Sequence, residues 1–219
     1  MTRKLDLPST ANQADPAGDG RLFAPSAARN TGPISDLLAS RLGPQGRLLE
    51  IASGTGEHIT SYATRLPGWR LQPSDIDPDR IASIAAWIAH SGVTNVAQPG
   101  ELDAAQPGWG VTIEPVDAVF ISNLFHLIPE AATRTILTEA TQALKPGGKL
   151  IVYGPFMRAG ELTSEGDAAF HASLSGHDPD IGYKDDFDML DWMQTAGLEP
   201  LEVVEMPSNN LSFLCQRVM

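Results

Sequence analysis

The chain has 219 residues, 42% of them hydrophobic and 19% charged, which is the usage of a globular protein and excludes a disordered or fibrous chain. Acidic residues outnumber basic ones 27 to 15, and the formal net charge of −12 argues against binding to nucleic acid or to an anionic membrane, since both would repel the protein. The single cysteine, Cys215, excludes an internal disulfide and a cysteine-rich zinc site, so no metal is expected.

The first 20 residues are polar and interrupted by proline, which predicts a flexible tail ahead of one domain over residues 21–219. Because no apolar run follows the first basic residues, a signal peptide is not expected and the chain is predicted to be cytoplasmic. Beyond the tail, apolar residues recur at helical spacing from Ile34 to Leu42, and Gly43-Pro44 ends the predicted helix.

Strands and helices then alternate along the chain. The apolar run at 47–52 predicts a buried strand, the residues from Ser53 to Gly56 a turn, and the apolar stripe from Ile59 to Leu66 a helix. Further strands are predicted at 69–75, 93–96, 116–122 and 150–153, and further helices from Ile81 to near Gly92 and at 130–144 and 187–196. Such alternation is typical of βαβ units in a Rossmann-like, doubly wound, mostly parallel sheet.

The end of the chain departs from this alternation. Strands predicted at 201–205 and 211–217 are separated by the five residues Met206–Asn210, which are too few for a parallel crossover. The fold class is therefore predicted to be α/β, with a seven-stranded sheet that ends in a C-terminal antiparallel hairpin.

The turn after the first strand is the expected ligand site, because open α/β sheets bind ligands at the carboxyl ends of their strands. Gly54 and Gly56 allow a tight turn and a close approach of a ligand to the backbone. A dinucleotide fingerprint would need a third glycine where Ile59 stands, and Glu57 would repel a pyrophosphate. Asp75 lies 21 residues beyond Gly54, near the ~20 expected for a carboxylate that binds ribose hydroxyls. A nucleoside ligand without pyrophosphate is favoured.

At these positions the sequence resembles the class I S-adenosylmethionine-dependent methyltransferases. Their pattern E-x-G-x-G-x-G matches Glu50, Gly54 and Gly56, with Ala52 at the first glycine, where alanine fits if its backbone angles are ordinary. The turn Lys145–Lys149 and the terminal hairpin are similar to those of the family, and the resemblance covers residues 45–217. More narrowly, the sequence resembles the small methyltransferase-like 26 family. The segments that carry this resemblance are 24–30, 49–58, 72–77, 123–129 and 153–156.

The resemblance implies S-adenosyl-L-methionine as cofactor and S-adenosyl-L-homocysteine as product. It implies that Asp75 holds the ribose, with Asp77 as the alternative, and that the segment Ser122–His126 flanks the methionine moiety. It also places Arg29 and Asn30 before the first helix, near the amino-acid end of the cofactor. The predicted cofactor-binding residues are Arg29, Asn30, Glu50, Ala52, Ser53, Gly54, Gly56, Asp75, Ile76, Leu102, Asp103, Asn123 and Leu124.

Two residues are predicted to contact the methyl acceptor. His126 follows the fourth strand, where a neutral imidazole would take a proton from a hydroxyl, thiol or amine; a buried histidine bonded to a backbone carbonyl is the alternative. Tyr153 ends the fifth strand and would border the acceptor pocket. The predicted reaction is in-line methyl transfer to a small molecule, driven chiefly by positioning and desolvation.

Negative charge is concentrated near the end of the chain. Twelve acidic residues and one basic residue, Lys184, lie between Glu161 and Glu205. Within this stretch, residues 158–186 are predicted to form an irregular lid over the acceptor pocket. An acidic lining would favour neutral or cationic acceptors, whereas a solvated acidic face would only aid solubility. The open alternatives are a noncatalytic S-adenosylmethionine-binding module, an NAD(P)-dependent oxidoreductase, and a methyltransferase that acts on a protein or nucleic acid.

Overall fold

A computed structural model describes residues 14–218, except for the side chain of Ser26. Most of the predicted N-terminal tail, residues 1–13, lies outside the described part. The first described element is a small antiparallel hairpin in which Asp15–Pro16 (β1) pairs with Leu22–Phe23 (β2).

Seven further strands form one sheet with the order β5-β4-β3-β6-β7-β9-β8. They are β3 (Gly46–Ile51), β4 (Trp69–Asp75), β5 (Gly100–Glu101), β6 (Val116–Ser122), β7 (Leu144–Pro155), β8 (Leu198–Met206) and β9 (Asn210–Arg217). Strand β3 pairs in parallel with β4 and with β6, and β4 pairs in parallel with β5. Strand β9 is antiparallel to both β7 and β8. The mostly parallel seven-stranded sheet and its antiparallel ending are thereby confirmed.

Helices connect these strands. They are α1 (Pro25–Arg41), α2 (Glu57–Arg65), α3 (Pro78–Ser91), α4 (Glu130–Ala143), α5 (Glu165–His177) and α6 (Asp186–Thr195), with a short 3-10 turn at Phe125–Leu127. Helix α3 ends where Gly92 adopts φ +67°, a left-handed conformation that closes a helix at low cost for glycine. None of the helices among residues 14–218 has the length and apolarity that a bilayer crossing requires.

The described residues divide into two compact units. The N-terminal unit contains residues 14–103 and 116–121, and the C-terminal unit contains residues 104–115 and 122–218. In the N-terminal unit, the fully buried Tyr62 ring packs edge-on against Phe120, with ring centroids 5.5 Å apart. In the C-terminal unit, Phe156 and Phe213 pack edge-on at 4.9 Å.

One predicted helix boundary and one predicted strand are wrong. The first helix begins at Pro25 and not at Ile34, because Pro33 is accommodated inside the helix instead of starting it. The strand predicted at 93–96 is absent, and Val96 makes only an isolated bridge to Leu71. This segment is held as a loop by the Asn95 side-chain amide, which reaches the carbonyls of three residues, Ala63, Leu66 and Trp69.

Two longer segments also differ from expectation. The fifth strand of the prediction, 150–153, extends over Leu144–Pro155, and Gly147 takes φ +75° where the chain enters it. The expected irregular lid contains the 13-residue helix α5. Leu174 in this helix packs with Ile181 and Tyr183 in a buried apolar cluster, so α5 forms because it covers its own small core.

Candidate functional site

The loop that joins β3 to α2 makes a left-handed turn in the N-terminal unit. Ala52, Gly54 and Gly56 all have positive φ, at 54°, 60° and 94°. The condition that Ala52 has ordinary backbone angles is therefore not met, since alanine is held in a region that costs an L-residue about 1–2 kcal/mol. A Cβ at Gly56 would lie 2.7 Å from the Ile84 Cα, whereas one at Gly54 would meet nothing within 4 Å. Gly56 thus serves packing, and Gly54 leaves open space beside the backbone.

Asp75, at the end of β4, is tied to this loop. Its Oδ2 accepts a hydrogen bond from the Gly54 amide at 2.9 Å, and its Oδ1 accepts one from the Asp77 amide at 3.0 Å. Burial raises the pKa of Asp75, and the backbone amides partly oppose that shift. Asp77 has a different task, because its side chain caps α3 by accepting from the Asp79 amide at 2.8 Å.

Glu50, one residue before the end of β3, is the most unusual group of the N-terminal unit. Its side chain is 1% exposed, and neither carboxyl oxygen makes a hydrogen bond of normal geometry with the described residues. Burial raises the pKa of Glu50 to about 8; the Ser53 hydroxyl lies near enough to oppose this shift without forming a hydrogen bond of normal geometry, and the Asp75 carboxylate adds to the shift. A buried acid without donors is costly, so this position calls for a donor or a cation from outside the chain.

The remaining predicted residues of this unit lie at the same ends of the strands. Leu102 follows β5 and donates its amide to the Asp75 carbonyl at 2.9 Å, with Asp103 next in the chain and partly exposed. Ile76 follows β4, and its side chain is half exposed. Ser53 hydrogen-bonds to Ser74 through both its amide and its hydroxyl and so joins the loop to β4. The structure brings Glu50, the glycine loop and Asp75 together as the sequence indicated.

Arg29 and Asn30 do not precede the first helix but lie inside α1, Arg29 exposed and Asn30 buried. The start of α1 is held against α2 by two bonds: the Ala24 amide donates to Glu57 Oε2 at 2.9 Å, and His58 Nε2 lies 3.2 Å from the Ala27 carbonyl. Glu57 therefore occupies the N-terminus of α2 as a bound carboxylate.

In the C-terminal unit, the residues after β6 form a tight turn. Asn123 takes φ 54°, and its amide donates to the Tyr153 carbonyl at 2.8 Å, with Leu124 half-buried beside it. His126 is 6% exposed, and its Nδ1 has no hydrogen-bond partner among the described residues. Burial lowers the pKa of His126 to about 3, and the Lys184 ammonium adds to that shift. The imidazole is therefore neutral at physiological pH and able to accept a hydrogen bond.

Tyr153, on β7, is buried, and its hydroxyl also lacks a partner among the described residues. Burial raises the pKa of Tyr153 to about 12, so the phenol stays protonated and serves as a hydrogen-bond donor. Its neighbour across the strand pair is Ser212, whose buried hydroxyl is unpartnered as well. Sequence reasoning missed Ser212, since an isolated serine in a strand carries no pattern.

The acidic stretch is used partly for local structure. Asp185 caps α6 by accepting from the Phe187 amide at 2.9 Å and also accepts from the Gly160 amide. Ser164 caps α5 by accepting from the Asp167 amide at 3.1 Å. Asp178 is 1% exposed.

Sequence reasoning also missed Lys184, although its position as the one basic residue of this stretch was a usable signal. Within residues 14–218, no group of three or more histidine, cysteine, aspartate or glutamate side chains is arranged to hold a metal ion.

Comparison with solved structures defines the class of fold. An O-methyltransferase family protein from Burkholderia thailandensis, 19% identical, aligns with a TM-score of 0.74 over 88% of this chain and 57% of its own length. An O-methyltransferase family 2 protein from Planctomyces limnophilus, solved with apigenin, is 19% identical. It aligns with a TM-score of 0.72 over 88% of this chain and 60% of its own length. Human N-acetylserotonin methyltransferase, solved with SAM, is 14% identical. It aligns with a TM-score of 0.69 over 89% of this chain and 53% of its own length.

The chain therefore has the fold of the class I methyltransferases, and it spans less than two thirds of the length of these three proteins. It belongs to the family described as "Protein of unknown function (DUF938)", whose model matches residues 21–217. The narrower resemblance to the methyltransferase-like 26 family stays a prediction.

Proposed function

We propose that the protein is an S-adenosylmethionine-dependent methyltransferase that acts on a small molecule. The observation that carries this proposal is Glu50, a buried carboxyl without donors beside the glycine loop. S-Adenosylmethionine brings a cationic ammonium and a cationic sulfonium, and either would supply the missing partner. The solved neighbours support the proposal at the level of the fold, and two of them were solved with SAM or with the small molecule apigenin.

The residues of the N-terminal unit fit the parts of this cofactor. Asp75 would accept from the ribose hydroxyls with the lone pairs that its two amide donors leave free. The exposed face of Ile76 would pack on the adenine, and Leu102 and Asp103 would meet the adenine edge. Glu50 would face the amino-acid end, near the open side of Gly54. Arg29 and Asn30 stay candidates for that end, now from within α1.

The nicotinamide oxidoreductase fits less well. Glu57 lies at the N-terminus of α2, where a pyrophosphate would bind, and its carboxylate is held there by the Ala24 amide. The like charge would repel a dinucleotide at that point.

When bound, the cofactor supplies an electrophilic methyl group, so the chain needs mainly to orient and desolvate the acceptor. His126 would accept a hydrogen bond from the acceptor through its free Nδ1, and Tyr153 would donate one through its hydroxyl. Because burial lowers the pKa of His126 to about 3, the imidazole is a weak base, and we propose that it orients the acceptor more than it removes a proton.

The segment 158–186 would cover the acceptor, with α5 as its wall. Deleting residues 160–180 would remove the buried Leu174, so a point substitution is the cleaner probe. Phe170 is only partly buried, and Phe170→Ala is expected to weaken acceptor binding while the chain still folds. An unchanged acceptor KM in a folded Phe170→Ala protein would argue against the lid.

The test of the function is calorimetric titration with S-adenosylhomocysteine and, in parallel, with NADH. We expect S-adenosylhomocysteine to bind and Asp75→Ala to weaken that binding at least tenfold. Asp77→Ala is the matched control, since it removes a neighbouring acid that only caps α3. Tighter binding of NADH would favour the oxidoreductase. Binding of S-adenosylhomocysteine without turnover of any phenol, thiol or amine in a broad panel would favour a noncatalytic module.

A further inference from the structure

Lys184 is a buried cation in the C-terminal unit that the proposed chemistry does not yet use. It is 9% exposed, and its Nζ donates to the carbonyls of Ile128 at 2.8 Å and of Gly182 at 3.0 Å. An ammonium group has three N–H groups, so one is left for a ligand. No carboxylate of the described residues forms an ion pair with it, which is unusual because buried lysines are almost always paired.

Aromatic side chains lie near the backbone segments to which the Lys184 ammonium group is hydrogen-bonded. The Gly182 amide donates to the His126 carbonyl at 3.0 Å, which places the irregular segment that carries Lys184 beside the His126 turn. The His126 ring packs edge-on against Phe170 at 5.7 Å and Tyr183 at 6.2 Å. We call His126, Phe170, Tyr183 and Lys184 the Lys184 cluster. It combines a cation, an unpartnered imidazole nitrogen and two aromatic rings.

Three charged or titratable side chains interact with the Lys184 cluster, namely Glu130, Asp167 and His171. The Glu130 carboxylate raises the pKa of Lys184 slightly, but burial is the larger effect and lowers that pKa to about 8. His171 accepts the Tyr183 amide through Nδ1, and burial and Lys184 both lower the pKa of His171. Asp167 accepts from the Tyr183 hydroxyl at 3.0 Å and also from three neighbouring side chains, so its carboxyl oxygens are already hydrogen-bonded by four neutral donors.

We propose that the methyl acceptor is a phenol or a thiol that binds at the Lys184 cluster and reacts as its anion, in preference to an amine. This inference rests on the proposed methyltransferase function. The flat rings would contact the body of the acceptor, and the free N–H of Lys184 would hold its anionic oxygen or sulfur. An opposite charge within about 4–6 Å typically lowers the pKa of an acid by 1–3 units, which populates the nucleophile at neutral pH.

The step balances without a further reagent. The neutral phenol or thiol binds with its O–H or S–H donated to His126 Nδ1 and then releases this proton to solvent, and the resulting anion attacks the methyl carbon of the bound sulfonium. A new O–C or S–C bond forms, the old C–S bond breaks, and its electron pair stays on the sulfur of S-adenosylhomocysteine. An amine would instead become more positive as it is methylated, and Lys184 would oppose that change.

The experiment uses the full chain saturated with S-adenosylhomocysteine and the coloured probe 4-nitrophenol, with 4-nitroaniline as the probe of equal shape. The bound phenol is titrated by absorbance across pH 5–9. We expect the pKa of bound 4-nitrophenol to fall by 1–2 units in the wild type and in Lys184→Arg, and to stay at its free value in Lys184→Met. Lys145→Met, which removes an exposed lysine of the same unit, should behave as the wild type.

With S-adenosylmethionine present, Lys184→Met should lower kcat/KM for 4-nitrophenol about 10- to 100-fold. Retained binding of S-adenosylhomocysteine by Lys184→Met will show that the variant is folded. Failure of 4-nitrophenol to bind, an unshifted pKa in the wild type, or preferred methylation of 4-nitroaniline would overturn the inference. The proposed function would survive each of these results as long as S-adenosylhomocysteine still binds.

Discussion

We predict that the ionisation of Glu50 links cofactor binding to proton release. In the free protein, burial raises the pKa of Glu50 to about 8, so at pH 7 roughly nine-tenths of the molecules carry a neutral Glu50. A bound ammonium or sulfonium would favour the carboxylate. If the cation lowers the pKa of Glu50 to about 6 or below, binding at pH 7 should release about 0.8 proton per cofactor.

Calorimetry measures this release directly. The apparent enthalpy of S-adenosylmethionine binding is recorded at pH 7 in buffers of different ionisation enthalpy, and its slope against that enthalpy is the number of protons exchanged. We expect a slope near 0.8 proton at pH 7 and near zero at pH 9.5, where Glu50 is already ionised in the free protein. Glu50→Gln should abolish the slope at pH 7 and weaken binding, and Asp77→Asn should change neither.

The same shift affects stability. Because the folded chain holds the Glu50 proton up to a pKa of about 8 and the unfolded chain loses it near 4.5, this group's contribution is fully present below pH 4.5 and is lost as the pH rises to 8. The contribution of Glu50 to the free energy of unfolding can fall by at most about 1.4 kcal/mol per pH unit. Glu50→Gln should therefore flatten the fall in the free energy of unfolding between pH 5 and 8. Equal slopes for wild type and Glu50→Gln in both experiments would refute the reasoning.

Four further substitutions test the glycine loop and its neighbour by thermal unfolding and by S-adenosylhomocysteine binding. Ala52→Gly should raise the free energy of unfolding by about 0.5–1 kcal/mol, because it removes a left-handed alanine; no gain would mean that Ala52 is unstrained. Gly56→Ala should cost about 1–3 kcal/mol more than Gly54→Ala, because only the Gly56 Cβ would strike the Ile84 backbone; equal costs would contradict the packing role. Asp77→Ala should cost about 1 kcal/mol through the lost helix cap and leave the affinity for S-adenosylhomocysteine within about twofold.

The sequence by itself determined the architecture of the sheet. The strands predicted at 69–75 and 116–122 match β4 and β6 residue for residue. In β6 the reason is a nearly continuous run of apolar side chains, which a buried parallel strand requires. The five residues Met206–Asn210 between the last two predicted strands were enough to require an antiparallel hairpin, and the structure leaves only three, 207–209, between β8 and β9. The start of α1 was missed because Gly32-Pro33 looks like a break, although Ala27, Asn30 and Ile34 continue the buried side of the helix.

The sequence also identified the positions of the candidate cofactor site, since Gly54, Asp75 and Glu50 lie where strands β3 and β4 end. Their states, however, depend on tertiary structure. The positive φ of Ala52 follows from closing the loop over α2, and the pKa of Glu50 follows from complete burial without donors. The environment of Lys184 likewise depends on the fold, because the carbonyl of Ile128, 56 residues away in the sequence, meets that of Gly182 at its ammonium group. The sequence shows which side chains are present. The desolvation and the charge state of each side chain depend on the neighbours that the folded chain places around it.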